Sequence, residues 1–152
     1  IRLSLVGSEM CIRDSDRDPM PRWSRGGVTL LGDAAHPMLP FLSQGAAMAI
    51  EDAYVLAQAL VHFGAGELDA ALTAYETERR PRTARVQLEA RERGRTYHLS
   101  SPEELRARDL AFKREQALNP NAVGIKAEWV YQYDARTCRE RFGQSPVLSA
   151  AS

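Results

Sequence analysis

Cysteine is almost absent: Cys11 and Cys138 are the only two in 152 residues. Two thiols alone make neither a disulfide framework nor a four-ligand zinc site, and no metal is expected. Such sparse cysteine fits a reducing, cytoplasmic setting. An excess of one charge is missing too. Twenty Lys+Arg offset twenty Asp+Glu, leaving a formal net charge of zero. That balance argues against a nucleic-acid partner held by phosphate neutralisation and against a polybasic membrane anchor. No apolar run approaches the ~18 residues of a bilayer span. What is present, 44% hydrophobic and 26% charged residues, is the ordinary composition of a soluble globular chain.

The chain divides into four parts. Residues 1–15, IRLSLVGSEMCIRDS, follow neither a period of 2 nor one of 3.6. They resemble translated sequencing-adapter read-through and are set apart as a non-native segment. Residues 16–66 hold an entry loop with two prolines, the Gly26-Gly27 turn signal, a buried strand over Val28 to Leu31, a loop, and a helix over Gly45 to Phe63. That helix is apolar nearly all round, which predicts deep burial. The strand has no evident partner in the chain. Residues 67–143 form a helical region. One helix starts near Glu67, with Leu68, Leu72 and Tyr75 on one face, and runs to about Arg95 with a kink or break at Pro81. Its seven arginines from Arg79 to Arg95 read as a solvated face, held by the i,i+4 pairs Glu76/Arg80, Glu78/Arg82 and Glu89/Arg93. Another helix opens on the capping box Ser101-Pro102-Glu103-Glu104 and ends near Leu118. A last one spans about Val123 to Tyr133. Residues 144–152 read as a disordered tail.

The chemistry concentrates in Leu30 to Asp52, LLGDAAHPMLPFLSQGAAMAIED. A strand delivers Gly32-Asp33 at its C-terminal end, where α/β folds place ligands. Gly32 permits close approach to the backbone, and the Asp33 carboxylate suits a ligand hydroxyl. A loop stiffened by two prolines leads to Gln44-Gly45-Ala46-Ala47. There a helix begins with free N–H groups and small side chains, an arrangement that stabilises negative charge. An elongated ligand with a polyol section and an electron-accepting head fits both ends.

At these residues the sequence resembles the class A flavoprotein monooxygenases, the salicylate, hydroxybenzoate and 6-hydroxynicotinate hydroxylases. The resemblance rests on Gly32-Asp33-Ala34-Ala35-His36, then Pro40, then Gln44-Gly45, with Glu51-Asp52-Ala53 and Leu56-Ala57 continuing it. It extends through Ala74-Tyr75-Glu76, Arg79-Arg80-Pro81-Arg82, Tyr97-His98-Leu99 and the string from Trp129 to Ala135, and covers about Asp16 to Arg141. It implies an α/β parent with an FAD/NAD(P)-binding Rossmann-like fold. Of that fold this chain would be a mostly α-helical C-terminal piece with one or two short strands. FAD would be the cofactor and NAD(P)H the co-substrate. Gly32, Asp33, Ala34, Ala35, Pro40, Gln44, Gly45, Ala46 and Ala47 would form the cofactor-binding set. Within it, Asp33 would hold ribityl or ribose hydroxyls, Pro40 would flank the flavin on the substrate side, and the N–H groups of residues 45 to 47 would face its N1/O2 edge. The implied reaction hydroxylates a small phenolic or hydroxypyridine acid with O2. A homodimer stays open.

The resemblance leaves several roles unassigned. Pro40 and His36 are the only candidates for a part in catalysis, and a loop-packing role suits His36 better. Glu51 and Asp52 point about 100° apart on a helix, which favours anchoring or solvation over a paired-acid site. Trp129, Tyr131 and Tyr133 read as packing, and Cys138 as inert or exposed. No GxGxxG turn occurs, and the sequence holds neither the middle motif nor the β-sheet substrate domain of a complete member. Hydroxylase activity is therefore not expected of this chain alone. Two alternatives are a helical interaction module without cofactor and a related flavin enzyme with another substrate, such as a quinone precursor.

Overall fold

The structure, a computed structural model, describes residues 16–118 and 128–143. The segments 1–15 and 144–152, with Cys11, and the proposed helix start at Val123 lie outside the described residues. Its elements are β1 (Ser24–Arg25), β2 (Val28–Thr29), 3-10 turns at Gly32–Ala34 and Pro40–Leu42, α1 (Gly45–Phe63), α2 (Leu68–Tyr97), α3 (Pro102–Leu118), α4 (Glu128–Tyr131) and a 3-10 helix over Ala135–Arg141. The expectation of a mostly helical chain with one or two short strands holds.

The expected buried strand does not. Gly26 and Gly27 both take positive φ, 56° and 78°, the conformation of a tight two-residue hairpin turn. The chain therefore folds straight back, and β2 pairs antiparallel with β1, Ser24 opposite Thr29. Only Val28 and Thr29 belong to β2, and Val28 is 67% exposed. The strand does have a partner, formed by the residues immediately before it.

Helix α1 begins and ends where expected, since Ala, Met and Leu carry it and Gly64, at φ 78°, stops it. It is not buried all round. Met48, Asp52, Val55 and Ala59 face inward, while Ile50 and Val61 lie on the outside. A short connection through Gly64 turns the chain into α2, which packs against α1. Helix α2 runs unbroken through Pro81 for 30 residues. Pro81 sits on the exposed side, so its ring projects away from the packed face, and burial on both sides of it keeps the helix continuous.

Two apolar clusters form the core. One gathers Trp23, Ala35, Val55, Ala59, Ala71, Tyr75 and Cys138. The other gathers Leu42, Met48, Val86 and Ala90. Between them, at the middle of the α1–α2 contact, lies a polar layer of Asp52, Arg79 and Thr83, all fully buried. Helix α3 buries no residue among those described. No described helix is long and apolar enough to cross a membrane.

Candidate functional site

The loop from Leu30 to Gln44 is gripped from behind. Tyr75 donates its hydroxyl to Leu30 O at 3.0 Å. Gln87 Nε2 donates to Pro37 O at 2.9 Å. Arg17 Nη2 donates to Ala34 O at 2.5 Å and Ala35 O at 3.3 Å. Asp52, on α1, accepts the Gly32 N–H at 3.1 Å and the His36 Nε2–H at 2.5 Å. Most of these partners come from buried positions of α1 and α2. The loop's inner backbone is satisfied by the fold, so its outer side is left for other contacts.

Gly32, Ala35 and His36 are buried, Ala35 within the first apolar cluster. Asp33, Ala34, Pro40 and Ala46 are exposed, and Gln44, Gly45 and Ala47 are half-buried. Two of the candidates at opposite ends of the loop come together. Asp33 Oδ1 lies 3.8 Å from where a Cβ on Gly45 would stand. The first backbone bond of α1 runs from Met48 N to Gln44 O at 2.9 Å, and Gln44 makes no side-chain cap. The N–H groups of residues 45 to 47 thus have no acceptor within the helix, and their own side chains are no larger than a methyl. Ser43, at φ 52° and ψ 34°, is left-handed without being glycine. This costs backbone energy and turns the chain sharply from the Pro40 turn into α1. Pro40 itself borders a mainly apolar cavity of about 340 Å³ with Phe41, Gly94 and His98.

Several readings are sharpened or corrected here. Gly32, at φ +59°, also serves close approach within the fold: a Cβ there would come 3.2 Å from Ala49 Cβ. Asp52 is not solvated. Its Oδ1 accepts from Arg79 Nε at 2.7 Å with both side chains fully buried. Burial works to raise the Asp52 carboxyl, but hydrogen bonds from His36 and Arg79 outweigh it and hold it below the ordinary carboxylate value. The arginine run is not simply a solvated face, since Arg79 is fully buried. Of the expected i,i+4 pairs, Glu76/Arg80 forms at 3.4 Å, but Arg82 turns to Glu51, at 2.8 and 2.9 Å, and to Val130 O at 2.7 Å. Glu78 instead takes Arg141 and the Tyr133 hydroxyl, and Glu89 takes Arg85 and Trp129 Nε1. Cys138 is buried, and burial pushes its thiol up, away from the reactive thiolate.

His36 packs as the sequence suggested, its ring centroid 5.4 Å from that of Trp23. The aromatic residues near the C-terminus act partly as packing. Arg82 Cζ lies 4.3 Å from the Tyr133 ring centroid and Arg85 Cζ 3.7 Å from that of Trp129, whereas Tyr131 is 77% exposed. Arg79 Nη1 also stands 2.6 Å from Glu51 Oε2, an ion-pair contact without hydrogen-bond geometry. Sequence reasoning left Asp52 between anchoring and solvation and put Arg79 on a solvated face; the structure buries the two together and makes Asp52 an anchor. The signal was their spacing, since both fall on the buried stripes of their helices.

The structure thus sets an exposed carboxylate beside the N-terminus of α1, on a loop held by two packed helices. The chain matches the FAD binding domain family over residues 10–90, more than half its length, and it belongs to that family. It is similar to 3-amino-4-hydroxybenzoate 2-monooxygenase PtmB3 of Streptomyces platensis, 46% identical over 122 residues, which cover 79% of this chain and 28% of that protein. It is similar to 6-hydroxynicotinate 3-monooxygenase of Pseudomonas fluorescens, 53% identical over 72 residues, 47% of this chain and 19% of that one. Its fold matches a salicylate hydroxylase substrate complex with a TM-score of 0.61 at 34% identity, covering 88% of this chain and 31% of the other. The chain thus spans less than a third of the length of these relatives.

The residues present fit FAD. Asp33 is an exposed acceptor whose Oδ1 lies 3.8 Å from the Cβ position of Gly45, beside N–H groups that have no acceptor within the helix.

Proposed function

We propose that this chain is the C-terminal FAD-binding part of a flavin-dependent monooxygenase that hydroxylates a small phenolic or hydroxypyridine acid with NAD(P)H and O2. Residues 16–66 carry the cofactor-facing loop and helix, and residues 67–143 support them. The observation that carries the reading is the pairing of an exposed Asp33 with the open N-terminus of α1, on a loop held from behind by Tyr75, Gln87 and Asp52. The activities of the relatives, on aminohydroxybenzoate and hydroxynicotinate, support the substrate class.

When bound, FAD supplies electron transfer and oxygen activation. The chain supplies binding and electrostatics. Asp33 accepts hydrogen bonds from ligand hydroxyls. The N–H groups of Gly45, Ala46 and Ala47 stabilise negative charge with the aid of the helix dipole, worth about 0.3–1 kcal/mol when exposed and more when water is excluded. Pro40, exposed and rigid at the first position of its 3-10 turn, offers an apolar edge to the substrate side. His36, buried and donating to Asp52, holds the loop and touches no reacting group.

The test is FAD affinity of Asp33→Ala, measured by quenching of flavin fluorescence. Weakening of about tenfold is expected for loss of hydrogen bonds to a charged acceptor. Unchanged affinity overturns the assignment of Asp33.

A further inference from the structure

Asp52 is a meeting point for three parts of the chain. It lies two turns into α1, about 10 Å along the helix from Gly45. Its Oδ2 accepts from the Gly32 N–H at 3.1 Å and from His36 Nε2 at 2.5 Å. Its Oδ1 accepts from Arg79 Nε of α2 at 2.7 Å. The carboxylate is fully buried.

The two contacts on Oδ2 bracket one short turn. The Gly32 carbonyl accepts from the N–H groups of Ala35 and His36, both at 2.9 Å. Asp33 stands inside that turn, one peptide unit from the gripped N–H of Gly32. The same helix that carries Asp52 opens at Gly45, whose Cβ position lies 3.8 Å from Asp33 Oδ1. One rigid helix therefore both presents the N–H groups and holds the turn that carries the carboxylate.

Charge bookkeeping assigns the histidine. A carboxylate can only accept, so His36 Nε2 carries a proton. Asp52 already has its counter-ion in Arg79. His36 Nε2 is then the donor that ties the far end of the turn to Asp52.

We propose that Asp52 is a positioning residue for the cofactor: it sets the place of Asp33 relative to the N-terminus of α1, so that one ligand can reach both. This rests on the reading of Asp33 as a hydroxyl anchor. Asp52 touches no ligand itself and acts through the Gly32–His36 turn.

A double-mutant cycle on the protein carrying this chain tests it. FAD dissociation constants are measured for the native protein, Asp52→Asn, Asp33→Ala and the double variant, with melting temperature followed in parallel. Asp52→Asn is expected to weaken FAD about tenfold when Asp33 is present and less than about twofold when it is absent, while melting falls equally in both backgrounds. His36→Asn, which leaves the Asp52–Arg79 pair in place, serves where Asp52→Asn does not fold, and the same non-additive pattern is expected. Equal weakening in both backgrounds, or none in either, overturns the proposal. If Asp33→Ala binds FAD as tightly as the native protein, both the anchor and the proposal fall. If Asp33→Ala is defective and the second substitution adds its full effect, the proposal alone falls.

Discussion

The ring of Phe41 occupies the space that a side chain on Gly94 would need: a Cβ at position 94 would lie 2.5 Å from Phe41 Cε2 and 2.7 Å from Cδ2. Gly94 is buried in α2, and Phe41 belongs to the Pro40 turn and packs edge-on against Tyr97 and His98. The glycine lets the Pro40 turn dock on the end of the long helix. Gly94→Ala improves helix propensity but forces the ring out. Net destabilisation of about 1–3 kcal/mol is expected, as for other overpacked sites, read as a lower denaturant midpoint. Phe41→Leu in the same background should recover part of it.

Arg82 fastens the C-terminal segment. It bonds Glu51 twice, donates to Val130 O and lies over the Tyr133 ring. Arg82→Met keeps the aliphatic stem and removes the fork. Loss of about 1–3 kcal/mol is expected, since the Val130 carbonyl and Glu51 lose a charged partner. Hydrogen exchange should quicken in residues 128–133 before it changes in α1.

Arg79→Met leaves the Asp52 carboxylate buried without its cation. Breaking such a pair costs about 3–5 kcal/mol. The Asp52 carboxyl sits below its ordinary value of 3.8 in the native fold. Its contribution is therefore present above that value and is lost as pH falls through the lower folded value. Urea midpoints of native and variant protein should differ widely at pH 7 and draw together as pH falls below 3.8. A gap that stays constant would contradict the ion-pair account.

Tyr133 offers an alkaline probe. Burial, reinforced by Glu78 and opposed by Arg79, pushes its hydroxyl up to about 12 from an ordinary 10. A raised folded value means that the stabilisation is whole below pH 10 and drains as pH rises toward 12. Absorbance at the phenolate band should show two tyrosines in the native protein that ionise late, Tyr75 and Tyr133, and Tyr133→Phe should remove the one near pH 12.

Much of the architecture was legible. The bounds of α1 follow from Gly45 and Gly64, and the end of α3 at Leu118 from the Asn-Pro-Asn that follows. The family resemblance at Gly32 to Asp52 agrees with the FAD binding domain match. The interior of α2 was not legible. Its buried stripe includes Tyr75, Arg79, Thr83, Gln87 and Gly94, a helical period written in polar and small residues. A reading that seeks apolar periodicity takes such a stripe for a solvent face, because the polar groups are satisfied only by partners far along the chain. The hairpin was missed for a different reason. A two-residue strand is set by the turn between Gly26 and Gly27, and its own side chains carry almost no pattern. Asp33 could be singled out because exposed ligand groups sit at local motifs, whereas the role of Asp52 depends on tertiary contacts.

The separation of 27 residues between Asp52 and Arg79 also has a temporal meaning. A chain made from its N-terminus completes α1 with an uncompensated anion on its inner face. Closing apolar layers around that anion is unfavourable until the cation has been synthesised and the second helix has folded back. The ligand-facing turn, tied to the same carboxylate, is thus among the last parts of the unit to set. Nascent chains stalled before residue 79 should be cut readily by protease around residues 32–44, and release past α2 should protect them. On this account the buried pair delays the setting of the 32–44 loop until its supporting helix exists.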